Sequence, residues 1–129
     1  MKKEKNQYVP TIYIAGPMRG YPEFNFPAFD QAAKRFRKLG WKVINPAELD
    51  RINHAHEYSS NFGTDFLREA MRRDLEAICG CNAIALLPEW EDSSGTFVEL
   101  TLARFLGLEF WDARKMTLMP YVTHSKNNR

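Results

Sequence analysis

The run Ala83-Ile84-Ala85-Leu86-Leu87, five apolar residues stopped by Pro88, constrains the fold of this chain more than any other stretch. A strand with one wet face alternates apolar and polar side chains, whereas a strand with no polar position is covered on both faces. A strand is therefore predicted over Asn82 to Leu87, and the surrounding chain must cover it on two sides. Thr11-Ile12-Tyr13-Ile14-Ala15, β-branched and aromatic, stops at Gly16-Pro17 and reads as strand one. Trp41-Lys42-Val43-Ile44, closed by Asn45-Pro46, reads as strand two, and Leu108-Glu109-Phe110-Trp111 as a short fourth. Helical patterns lie between them. Pro27 starts a helix that Gly40 ends, with Phe29, Ala32, Ala33 and Phe36 on one buried stripe. Thr64 or Asp65 caps a second helix running to about Cys79, with Phe66, Ala70, Leu75 and Ile78 inward. A third runs from Gly95 to Leu106 and ends at Gly107.

Strands alternating with helices predict an α/β fold, a parallel sheet with right-handed crossovers. The simplest arrangement is flavodoxin- or Rossmann-like, strand order 2-1-3-4, helices on both faces, with Met116 to Val122 available as a fifth, edge strand. In such sheets ligands bind where the strand order reverses, here between strands one and three. The loops Gly16 to Phe26 and Pro88 to Gly95 meet there. Residues from Ala47 to about Thr64 are polar and without clear period, and are expected as a long loop of the kind that often carries function.

With 129 residues the chain is expected to form one domain over 1–129, with 1–9 and 123–129 as mobile tails. The net charge of +2 sits largely in those tails, so charge gives no reason to expect a polymeric nucleic-acid partner. The interior run Lys34-Arg35-Phe36-Arg37-Lys38 reads as the wet face of a helix. Cys79 and Cys81 stand too close for a good disulfide and have no second pair for a zinc site, which suits small core residues in a reducing cytoplasm. No signal peptide or membrane span is expected, and the location expected is cytoplasmic. Strand one is followed by no Gly-x-Gly-x-x-Gly, and no Gly-Lys-Ser/Thr occurs, which disfavours dinucleotide oxidoreductases and P-loop enzymes.

Ser93-Ser94-Gly95-Thr96-Phe97-Val98-Glu99 places a carboxylate just past a buried strand, in what is expected to be the first turn of a helix. There the helix dipole and free N–H groups favour the ionised form, which suits a nucleophile. Attack at a sugar anomeric carbon is one reaction with that requirement, because its transition state is positive. The alternative is that Glu99 completes a capping arrangement with an earlier Ser or Thr. Gly95 would allow a ligand close to the backbone, and Ser93, Ser94 and Thr96 offer hydroxyls. Arg19, between Met18 and Gly20, could grip a phosphate bidentately or simply be solvated. Tyr13 is a core candidate whose hydroxyl needs a partner. Asp74, following Arg72 and Arg73, reads by itself as an exposed ion-pair member. His54-Ala55-His56-Glu57 gives no complete ligand set for a metal.

Three segments in order, Tyr13-Ile14-Ala15-Gly16-Pro17-Met18-Arg19-Gly20, Asp74-Leu75 and Gly95-Thr96-Phe97-Val98-Glu99-Leu100, resemble the nucleoside 2-deoxyribosyltransferase superfamily, in particular its small phage and bacterial members. The resemblance implies that Glu99 is a nucleophile displacing the base from the anomeric carbon, that Tyr13 holds its carboxylate, and that Asp74 belongs to the base and sugar site. Asp92 is similar to a second, base-handling aspartate but stands one position further from Glu99 than the pattern has it. Six before Glu99, where the transferases carry an acid, stands Ser93. The related deoxynucleoside 5′-monophosphate N-hydrolases carry a phosphate-binding serine there and an Arg-Gly like Arg19-Gly20. The resemblance therefore implies cleavage of an N-glycosidic bond in a small-molecule nucleoside or nucleotide. Gly16, Pro17, Met18, Arg19, Gly20, Ser93, Ser94 and Gly95 would bind the substrate, and no metal or organic cofactor is called for. A homodimer or higher homo-oligomer is also implied, with Phe105, Phe110 and Trp111 as either interface or core. The alternative function is a module of the same fold that senses or sequesters a nucleotide without turning it over.

Overall fold

The computed structural model describes residues 8–54 and 64–120. Five strands, β1 (Thr11–Ala15), β2 (Lys42–Ile44), β3 (Ala83–Leu86), β4 (Glu109–Asp112) and β5 (Thr117–Met119), form one sheet in the order 2-1-3-4-5. The first four are parallel, with Tyr13 opposite Ile44 on one side and Ile84 on the other. β5 is antiparallel to β4, so the sheet is mixed rather than purely parallel. A tight turn makes that hairpin: Asp112 Oδ1 accepts from the backbone N–H groups of Arg114 and Lys115, and Met116 takes a left-handed conformation at φ 60°.

Four helices cover the sheet: α1 (Phe26–Lys38), α2 (Pro46–His54), α3 (Thr64–Cys79) and α4 (Ser94–Leu106). The alternation along each strand divides the interior in two. Ile12, Ile14, Ala83, Ala85 and Leu87 pack with Phe29, Ala32, Ala33 and Phe36 of α1 and Ala47 of α2. Tyr13, Ala15, Ile84 and Leu86 pack with Ile78 of α3 and Leu100 and Ala103 of α4. Both faces of β3 are thus dry, as its unbroken apolar run requires. Phe110 is buried in the second cluster, and Trp111 packs edge-on against Phe36 and Trp41, while Phe105 is exposed. Cys81 is buried and its thiol is pushed up to about 11 by that burial; Cys79 is exposed and neither forms a disulfide.

The long loop expected from Ala47 to Thr64 is in part a helix. Asn45-Pro46, read as a strand stop, also starts α2. The Asn45 side-chain oxygen accepts from Ala47 N–H at 3.0 Å, its carbonyl accepts from Glu48 and Leu49 N–H, and Pro46 occupies the first helical position. Residues 55–63, and with them most of the His54-Ala55-His56-Glu57 segment, lie outside the described residues. Among the described residues no helix is long and apolar enough to cross a membrane, and no cluster of three side chains is arranged to hold a metal ion.

Candidate active site

The C-terminal ends of β1 and β3 open on a cavity of about 530 Å3 at the point where the strand order reverses. Gly16 is required there by close packing: a Cβ on it would lie 2.7 Å from Leu87 Cβ, so only glycine lets the two strand ends meet. Pro17, Met18 and Arg19 continue along the rim, with Arg19 exposed. Gly20, at φ +87°, turns the loop but does not line the cavity. Tyr21 does, and its hydroxyl is hydrogen-bonded to Glu89 of the facing loop. Glu89 itself is held at φ 68°, a conformation costly for a residue with a side chain.

Tyr13 projects from β1 towards α4 and is fully buried. Its hydroxyl donates to Glu99 Oε2 at 2.8 Å. Burial, reinforced by the Glu99 and Asp74 carboxylates, raises the phenol well above its usual pKa, so it remains a donor. Glu99 is only 7% exposed, yet lines the cavity. Its place in the helix differs from expectation. Ser93 is the N-cap and its Oγ accepts from Thr96 N–H at 3.1 Å, so the capping partner three residues on is Thr96, and Glu99 lies a turn further in. This removes both the capping-box alternative and the idea that the helix start keeps Glu99 ionised. Burial, then repulsion from Asp74, raises the Glu99 carboxyl well above the usual range, and the Tyr13 hydrogen bond and Arg73 oppose this.

Asp74 is buried, not an exposed ion-pair member, and it too lines the cavity. Burial pushes its carboxyl up to about 6 against the pull of Arg73. Two charged residues that the sequence reading passed over belong to the same group. Asp50, delivered by α2, is buried at the cavity wall, and Arg73 Nη2 lies 2.7 Å from Asp50 Oδ1 and 2.6 Å from Asp74 Oδ1. Burial works against the Arg73 charge, but the Asp74 and Asp50 carboxylates outweigh it and keep the guanidinium protonated. The site therefore gathers three acids, Asp50, Asp74 and Glu99, around one guanidinium. Crowded and poorly solvated, Asp74 and Glu99 hold their protons to higher pH than exposed acids do.

Ser93, Ser94 and Gly95 line the cavity beside the first turn of α4. A Cβ on Gly95 would make only ordinary contacts, so the protein's own packing leaves room there. Thr96 adds a third hydroxyl: it is 1% exposed, and its Oγ1 has no hydrogen-bond partner among the described residues. Asp92, at the end of a short 3-10 turn, is at the cavity but exposed. Helices α3 and α4 also give the cavity an apolar lining, from Phe66, Leu67, Ala70 and Met71 of the former with Val98 of the latter.

Comparisons with known proteins bear on fold and family. A family model described as "Domain of unknown function (DUF4406)" matches residues 10–112, which span β1 to β4 and every helix. No curated protein matches. Among solved structures, the 2-deoxyribosyltransferase from the psychrotolerant bacterium Bacillus psychrosaccharolyticus is similar, with a TM-score of 0.59 and 24% identity over 78% of this chain and 69% of that one. At that identity the likeness is one of fold.

Proposed function

We propose that this chain, which belongs to the DUF4406 domain family, cleaves the N-glycosidic bond of a (deoxy)nucleoside or nucleoside 5′-monophosphate. The observation that carries this reading is the buried Tyr13–Glu99 hydrogen bond at the cavity wall, beside a second acid, Asp74, whose carboxyl is pushed up to about 6. One glutamate oxygen, Oε2, is held by Tyr13, which leaves Oε1 for attack. The Glu99 carboxylate forms a bond to C1′ as the C1′–N bond breaks. The electron pair leaves with the base, which takes a proton from the Asp74 carboxyl. Water, or a second base, then attacks C1′ and expels Glu99. An oxocarbenium-like transition state is stabilised by the surrounding carboxylates. Asp92, at the mouth, is assigned to contacts with the base.

The 5′ end is assigned to Arg19, Ser93, Ser94 and the start of α4, with Thr96 Oγ1 as a further polar group. Ser93 Oγ uses a lone pair for the cap, so its proton is available to a phosphate oxygen. An acid at that position would repel a phosphate, and for this reason the monophosphate is the preferred substrate class.

The test is incubation of the protein with a panel of ribo- and deoxyribonucleosides and their 5′-monophosphates, read by chromatography for free base. Wild type releases base from at least one monophosphate; Glu99→Gln and Glu99→Ala stay folded and lose at least about a thousandfold of that activity. Undiminished release by either variant excludes the mechanism. The raised Glu99 carboxyl also suits a second reading, a nucleotide-binding module without turnover, since a protonated glutamate is no nucleophile. Saturable binding of a monophosphate with no base released at any pH up to 9 would select it.

A further inference from the structure

Arg73 and Asp74 are adjacent on α3, and adjacent helical residues point about 100° apart, so they do not ordinarily face each other. Here they do: Arg73 Nε donates to Asp74 Oδ1 at 2.9 Å and Nη2 to the same oxygen at 2.6 Å. The contact is made where Asp50, on α2, draws Nη2 in to 2.7 Å. The Arg73 side chain is largely buried, yet it does not line the cavity; Asp50 and Asp74 do. The guanidinium thus lies outside the cavity lining and is bonded to two acids that belong to it. Because both of its bonds to Asp74 end on Oδ1, Oδ2 is the oxygen left to other partners, with the Tyr13 hydroxyl also within hydrogen-bonding range of this carboxyl.

We propose that Arg73 is a positioning residue for the reaction: anchored by Asp50, it fixes the Asp74 carboxyl through Oδ1 so that Oδ2 carries the proton given to the departing base. The proposal rests on the glycosidase reading above. The groups facing Asp74 are Tyr13 from β1, Asp50 from α2, Arg73 from its own helix and Glu99 from α4. Among them Arg73 is the sole cation. When the C1′–N bond breaks, the base nitrogen takes the proton from Asp74 and Asp74 is left as a carboxylate, which the guanidinium then compensates. When water attacks C1′ in the second half, its proton returns to Asp74 and Glu99 leaves as a carboxylate. Asp50 acts one step further back, by keeping Nη2 in place.

The experiment uses the full chain as wild type, Arg73→Lys, Arg73→Gln, Asp50→Asn and the Asp50→Asn/Arg73→Gln pair. For each, kcat and KM are measured against pH with the monophosphate that wild type cleaves, and the Asp74 carboxyl is titrated by NMR with 13C-labelled aspartate, assigned through Asp74→Asn. Arg73→Gln is expected to lower kcat about 100-fold with KM nearly unchanged, the loss typical of a misplaced reacting group. Its Asp74 titration moves to higher pH. Asp50→Asn does the same to a smaller extent, the double variant matches Arg73→Gln alone, and Arg73→Lys returns part of kcat. A wild-type pH profile and Asp74 titration in Arg73→Gln, whatever its melting temperature, overturn the proposal. If Arg73→Gln does not fold, unchanged profiles in both Arg73→Lys and Asp50→Asn do so. If wild type releases no base at all, the glycosidase reading fails and the proposed role in the reaction fails with it. A wild type that does release base, with Arg73 variants like it in both readouts, removes this proposal alone.

Discussion

The Tyr13 hydroxyl donates to Glu99 Oε2 from a phenol packed among Ile78, Leu86 and Leu100 on the α3 and α4 side of the sheet. A ring buried this deeply can only tolerate its polar end if the hydroxyl is bonded, and Glu99 is what it finds. The bond also acts in the other direction, since it lowers a Glu99 pKa that burial has raised. Tyr13→Phe removes that opposition while keeping the packing. The acidic limb of the pH–activity profile should then move to higher pH, and activity at neutral pH should fall about tenfold, the size of one hydrogen bond to a charged group. A Tyr13→Phe enzyme with an unmoved limb would mean that Glu99 is not the group that must ionise. Tyr13 was legible from sequence as a core residue needing a partner, and Glu99 as a carboxylate in an unusual place. Arg73 and Asp50 were not, because Arg72-Arg73-Asp74 has the composition of a solvated helix face, and only tertiary structure brings in a carboxylate from α2.

Helix α4 unites the two ends of the cavity. Its first turn presents Ser93, Ser94, Gly95 and Thr96, and its second presents Glu99. Ser93→Ala removes the cap on Thr96 N–H and should cost about 1 kcal/mol of stability. If Ser93 also donates to a phosphate, the same variant loses selectivity for the monophosphate over the nucleoside, while Ser93→Asp keeps the cap and loses the selectivity more fully. Equal selectivity in wild type and Ser93→Asp would move the 5′ end elsewhere. Element order and type followed from the apolar stripe of α1, the β-branched run of β1, the unbroken apolar run of β3 and the apolar stretch of α4, each closed by a strong glycine or proline stop. α2 escaped because Asn45-Pro46 reads equally as the end of β2 and as an N-cap followed by the first helical residue, and a nine-residue helix with few apolar positions shows little period. The antiparallel β5 depends on the Asp112 turn more than on the pattern of its own three residues.

At the scale of the whole molecule, the buried acids tie activity to stability. The Asp74 carboxyl is raised from 3.8 to about 6 and Glu99 is raised too, so over the range above pH 4 the native state holds protons that the unfolded chain has released. Stability rises with pH only where the unfolded state binds more protons; here the sign is reversed, and these two groups make the protein less stable as pH rises. For Asp74 the shift corresponds to about 3 kcal/mol, absent below pH 4 and complete somewhat above 6. Glu48, lowered by its hydrogen bonds to Arg37, works with the opposite sign: its contribution is full above pH 4.5 and is lost as pH falls from there through its lowered folded value, so the two effects lie on either side of about pH 4. Urea unfolding of wild type is therefore expected to give its largest free energy near pH 4 and to decline towards pH 7.5, most steeply between pH 4 and 6. Asp74→Asn mimics the protonated acid and leaves Arg73 its bond to Asp50. That variant should be more stable than wild type at pH 7.5, by up to about 3 kcal/mol, with the difference vanishing near pH 4, while base release is lost. If Asp74→Asn is instead destabilised equally at both pH values, Asp74 is held as a structural partner of Arg73 and not as a proton carrier. The direction of that single pH dependence separates a site in which burial stores a proton for the reaction from one in which an ion pair merely joins α2 to α3.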